Sequence, residues 1–128
     1  MVQNHDSSLV LIIDDDELTR LVLDNLLKKE HFRVLQAEDG EQGVALAQEA
    51  KPDIILLDVF MPNMDGFEVL AMLKKNPDLR DVPVCIFSIL NQEDRKDKAL
   101  AMGAAAFISK PFNIKEVVTL VKEWLPKR

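Results

Sequence analysis

Leu9-Val10-Leu11-Ile12-Ile13-Asp14-Asp15-Asp16 joins an unbroken apolar run to three consecutive acids. The run reads as a strand, and Leu18, Leu21, Val22 and Leu26 follow it at helical spacing. One strand and one amphipathic helix, joined by a tight acidic turn, set the unit that the rest of the chain repeats. Residues 33–36 form a second, weaker strand, and 41–50 a helix with a small Ala-rich face. Pro52 breaks the chain before 54–57, an apolar run suited to a central parallel strand. A turn-rich loop over 61–66 leads to a helix carrying Phe67, Leu70 and Ala71, which Asn76, Pro77 and Asp78 close. Residues 82–88 are the fourth strand and 92–102 a charged helix ended by Gly103. Residues 105–109 are the fifth strand, and Asn113 caps a last helix with Ile114, Val117, Val118, Val121, Trp124 and Leu125 on one side.

Five strands and five helices in strict alternation imply parallel strands with right-handed crossovers, a doubly wound α/β sheet. The 128 residues fit one domain, 1–128 with a core over about 8–125, large enough to fold without disulfides or structural metal. Sixteen basic against twenty-two acidic residues leave a charge of −6, which argues against direct nucleic-acid binding. A single cysteine, Cys85, excludes a disulfide framework and a thiolate zinc site, and it reads as a small buried hydrophobe. No apolar run approaches the ~20 residues that span a bilayer, and residues 1–8 carry no signal region. The expectation is a cytoplasmic protein without membrane insertion.

The acids stand where such a fold binds ligands. Asp14, Asp15 and Asp16 follow the first strand and Asp58 follows the third. Ligands of open parallel sheets sit beyond the carboxyl ends of the strands, where connections leave to opposite faces. If strands one and three are neighbours, Asp14, Asp15 and Asp58 meet there and repel one another unless a cation joins them; oxygen-only ligation suits Mg²⁺. Helix capping is the simpler use of three acids before a helix, and Asp16 is assigned to it. Ser88 ends the fourth strand and Lys110 follows the fifth. Acid, acid, hydroxyl and ammonium thus face one crevice and suit a cation, a nucleophilic carboxylate and a transferred anion together.

Leu11–Asp16 with its acids, Leu56-Leu57-Asp58-Val59-Phe60-Met61-Pro62-Asn63-Met64-Asp65-Gly66, Phe87-Ser88, Gly103-Ala104 and Ser109-Lys110-Pro111-Phe112 together resemble the response-regulator receiver domain, in order and over about residues 8–125. The resemblance implies a flavodoxin-like (βα)5 fold of strand order 2-1-3-4-5. It implies that Asp58 accepts a phosphoryl group from the phosphohistidine of a histidine kinase or histidine phosphotransfer protein. Mg²⁺ would then be ligated by Asp15, Asp58, Asp14 through water, and the backbone carbonyl of Phe60. Lys110 and Ser88 would hold phosphoryl oxygens, and Phe107 would turn inward as Ser88 moves. The face of the fourth helix, fifth strand and fifth helix would change and control a downstream protein that the sequence does not name. Ile89 stands where the family usually has a small residue, and Phe107 lacks the hydroxyl of the frequent Tyr. Phe60 and Leu90 occupy positions flanking the path of water to the phosphoryl group; both are bulky and apolar, implying a slowly decaying aspartyl phosphate.

Two other classes fit less well. A phosphohydrolase with an aspartyl-phosphate intermediate usually has a second acid two residues after the nucleophile, where this chain has Phe60. A flavin carrier on the same fold needs hydroxyls and glycine around phosphate, which Asp14–Asp16 would repel. The reading is therefore a switch that catalyses its own phosphorylation and dephosphorylation rather than a conventional enzyme. Whether it stands free or is a fragment of a longer regulator is left open.

Overall fold

The structure is a computed structural model that describes residues 8–59, 65–88, 93–109 and 112–125, with Ser88, Glu93 and Asp94 described in backbone only. Strands β1 (Leu9–Ile13), β2 (Arg33–Ala37), β3 (Ile54–Asp58), β4 (Val84–Ser88) and β5 (Ala106–Ser109) alternate with helices α1 (Glu17–Lys29), α2 (Gly40–Ala50), α3 (Gly66–Lys75), α4 (Glu93–Ala101) and α5 (Ile114–Trp124). The strands form one sheet in the order β2-β1-β3-β4-β5, and each neighbouring pair is parallel. The fold expected from the alternation and from the resemblance is therefore observed.

Side chains alternate across the sheet with the two-residue period of a strand. Val10, Ile12, Ile54, Leu56, Cys85 and Phe87 pack with Leu23 and Leu27 of α1 and Val117 and Val121 of α5. Leu11, Ile13, Ile55, Leu57, Val84 and Ile86 pack with α2, α3 and Ala99 of α4. Every residue of β1 and β3 is buried, which is why both read as continuous apolar runs. At the edge, β2 is mostly half-buried.

Several expectations shift. The apolar stripe of α1 divides: Leu23 and Leu27 are buried, whereas Leu18 and Leu21 are 66% and 53% exposed and Val22 is also exposed. The helix is turned so that its later apolar residues, and not its first turn, meet the sheet. Trp124 is 42% exposed and does not anchor α5; Val117, Val121 and Leu125 do. Ile114 is exposed as well. The fourth strand starts at Val84 because the amide of Val82 donates to the Leu79 carbonyl, 2.9 Å, in the preceding turn. The fifth starts at Ala106. Asp58 is the last residue of β3 and not the first of the loop.

Candidate functional site

β1 is paired on one side with β2 and on the other with β3, and connections leave these strands toward opposite faces of the sheet. The carboxyl ends of β1 and β3 therefore frame the crevice of the fold. The register places Ile13 beside Leu57, so Asp14 and Asp58 leave the sheet at the same level. Carboxylate oxygens of Asp14, Asp15 and Asp58 lie within 4.8 Å of one another. Asp14 and Asp58 are buried, 2% and 6% exposed, while Asp15 faces solvent.

Local geometry explains how each acid is held. The amide of Asp14 extends the sheet by donating to the Ala37 carbonyl, 3.1 Å. One carboxylate oxygen of Asp14 accepts the Asp16 amide at 2.9 Å, which folds the turn and presents Asp15 outward. Asp16 caps α1 by accepting the Thr19 amide, 3.2 Å, as expected. The three consecutive acids thus do different things: Asp14 and Asp15 join the cluster and Asp16 starts the helix.

On the other strand, Gly66 brings the start of α3 against the acid-bearing end of β3. A Cβ at Gly66 would stand 2.3 Å from Val59 Cα and 2.6 Å from the Asp58 carbonyl oxygen, so a side chain there has no room. The Gly66 amide donates to the Val59 carbonyl, 3.1 Å, and Asp65 caps α3 through the Phe67 amide, 2.8 Å.

The donor set of the cluster is oxygen only, which suits a hard cation such as Mg²⁺. Three carboxylates with oxygens within 4.8 Å of one another fit that ion.

The remaining expected residues are placed less fully. Ser88 ends β4, one residue beyond the Phe87 that pairs with Asp58, and pairs with Ser109. Phe107 is half-buried and packs toward the α2–α4 side of the sheet. Phe60, Ile89, Leu90 and Lys110 lie outside the described residues. Cys85 is buried in β4, as expected.

A polar chain beside the cluster is absent from the sequence reading. Arg20 donates through one terminal guanidinium nitrogen to the Asp14 carbonyl, 2.8 Å, and through Nε to Gln36 Oε1, 3.2 Å. The Gln36 amide nitrogen in turn donates to the buried Asp24 carboxylate, which Lys28 meets at 2.9 Å. A polar Gln36 following the apolar Val34 and Leu35 in the second strand, and a lone basic residue between Asp14 and Lys28, were the available signals.

The sequence pattern of the response regulator receiver domain matches residues 10–122. The chain belongs to the response regulator receiver domain family. This receiver domain is similar to protein PilH of Pseudomonas aeruginosa, 37% identical over 102 residues that cover 80% of this chain and 84% of PilH. The response regulator PleD of Caulobacter vibrioides is 39% identical over 107 residues, 84% of this chain but 24% of PleD, so the chain spans about a quarter of that relative's length. Among solved structures, chemotaxis protein CheY4 of Vibrio cholerae matches with a TM-score of 0.88 at 28% identity, over 93% of this chain and 99% of CheY4. The Mn²⁺-bound form of response regulator Rcp1 matches with a TM-score of 0.77 at 27% identity, over 91% of this chain and 90% of Rcp1. The receiver domain is a signalling module of two-component systems, and no helix among its described residues is long and apolar enough to cross a membrane.

Proposed function

We propose that this receiver is a phosphorylation switch in which Asp58 takes a phosphoryl group from the phosphohistidine of a histidine kinase or histidine phosphotransfer protein in the cytoplasm, with all 128 residues acting as one domain. The observation that carries the reading is the meeting of Asp14, Asp15 and Asp58 at the carboxyl ends of β1 and β3. Asp14, Asp15, Asp58 and the backbone carbonyl of Phe60 would hold Mg²⁺. When bound, that ion offsets the charge gathering on the phosphoryl oxygens.

Asp58 supplies the nucleophile. One of its carboxylate oxygens forms a bond to phosphorus as the phosphorus–nitrogen bond breaks, and the electron pair stays with the departing imidazole, which takes up a proton. Lys110 and the Ser88 hydroxyl bind phosphoryl oxygens after transfer. The pull on Ser88 biases Phe107 and the surface of α4, β5 and α5 between two states, and a downstream protein reads the difference. Phe60, Ile89 and Leu90 restrict water and lengthen the life of the phosphate. The protein turns over no separate substrate.

Asp58→Asn is the test. Intact-mass measurement after incubation with acetyl phosphate and Mg²⁺ should show one added phosphoryl group on the native chain and none on the variant. Equal labelling of the variant would remove Asp58 from the role.

A further inference from the structure

Asp14 is gripped at both of its peptide groups from the β2 side. Its amide donates to the Ala37 carbonyl and its carbonyl accepts the Arg20 guanidinium at 2.8 Å. Arg20 is held in turn: its Nε is spent on Gln36, and Gln36 is anchored by the buried Asp24. Gln36 pairs in register with Ile12 on β1, so its side chain rises from the α1 face of the sheet. The planar guanidinium therefore spans from the helix to the edge strand and to the acidic turn in one fixed fork. The turn cannot rotate without breaking that fork or the hydrogen bond from the Asp14 amide to the Ala37 carbonyl.

We propose that Arg20, held by Gln36 and Asp24, is a positioning residue for the Asp14–Asp15–Asp58 cluster, fixing the acidic turn in the geometry that binds the divalent cation. The inference rests on the reading of the cluster as a Mg²⁺ site.

Charge and position act in opposite directions here, which makes the idea testable. Arg20 is a cation close to a cation site, so removing its charge alone should tighten Mg²⁺ binding. Losing its grip on the turn should weaken it, by about 10-fold for a partner of this kind behind the ligands. Arg20→Met keeps most of the side chain's length and removes charge and donors together. Gln36→Leu keeps the Arg20 charge and removes only its anchor.

Mg²⁺ titration calorimetry on the full chain, with circular dichroism confirming the fold, reads the first effect. Amide exchange of Asp14 and Asp16 without metal reads the second. The expected result is about 10-fold weaker Mg²⁺ binding in Arg20→Met, a smaller weakening in Gln36→Leu, and faster exchange at both amides in both variants. Unchanged or tighter Mg²⁺ binding in Arg20→Met would overturn the proposal, as would unchanged exchange. If the native chain itself binds no Mg²⁺, the reading of the cluster fails. The metal-free exchange then still decides whether Arg20 holds the turn: unchanged exchange counts against the grip and faster exchange supports it.

Discussion

Cys85 shows how a single position follows from its surroundings. Its side chain lies among Val10, Ile12, Leu56 and Phe87 on the α1–α5 face of the sheet. Burial pushes its thiol up from the ordinary 9.0 to about 12, because a thiolate has no water there. The thiolate is the reactive form, so native Cys85 should resist Ellman's reagent at pH 8 and react fully in denaturant. Rapid native labelling would show that β4 opens. The sign of the pH dependence is also set: the folded value lies above the unfolded one. This group's contribution is therefore constant below about pH 9 and falls as pH rises from there toward 12. The three acids at 14–16 make the complementary case, since three identical neighbours take separate roles only through different partners.

Helices α1, α2, α3 and α5 are set by their caps and their contact with the sheet. Asp16, Asp39, Asp65 and Asn113 all cap as short polar residues should. At α3, cap and close approach coincide at the site. Gly66→Ala forces a Cβ into the backbone of Val59 and should cost about 2–3 kcal/mol, read as a lower urea midpoint with an unchanged slope. Because the same contact seats α3 against the end of β3, Mg²⁺ affinity should fall in that variant too. Gly103, with φ of 101°, would carry a Cβ at ordinary contact distance, 3.6 Å, from the Lys74 side chain, so it is required for its backbone angle and not for packing. For α1, the periodicity announces a helix correctly, yet its most regular apolar positions, Leu18, Leu21 and Val22, face solvent.

For the domain as a whole, charge sets the balance. Two unit charges about 5 Å apart repel by about 3 kcal/mol at an effective dielectric of about 20, and less where one is exposed, as Asp15 is. Folding therefore gathers carboxylates that separate freely in the unfolded chain. Mg²⁺ at 100 times its dissociation constant should add about 2.7 kcal/mol and raise the melting temperature. Asp14→Asn should melt higher than the native chain without metal and gain less from Mg²⁺; the amide oxygen can still accept the Asp16 amide. A lower metal-free melting temperature with a full Mg²⁺ gain would place the repulsion elsewhere.

Alternation of elements, the buried central strands and the caps Asp16 and Asn113 were legible in the chain, because each depends on residues within a few positions of one another. So was the position of Asp14, Asp15 and Asp58 at strand ends, and the family motifs around them. Their meeting is a different kind of fact: it requires β1 to pair with β3 across an intervening strand and two helices. Which apolar stripe of α1 is buried was likewise decided by the sheet, since the rotation of a helix about its axis is chosen by what it packs on. The grip of Arg20 on Asp14 through Gln36 and Asp24 needs an edge strand brought beside a helix, and no local pattern encodes that contact. Local periodicity determined the parts, and non-local pairing decided which of their polar groups face one another.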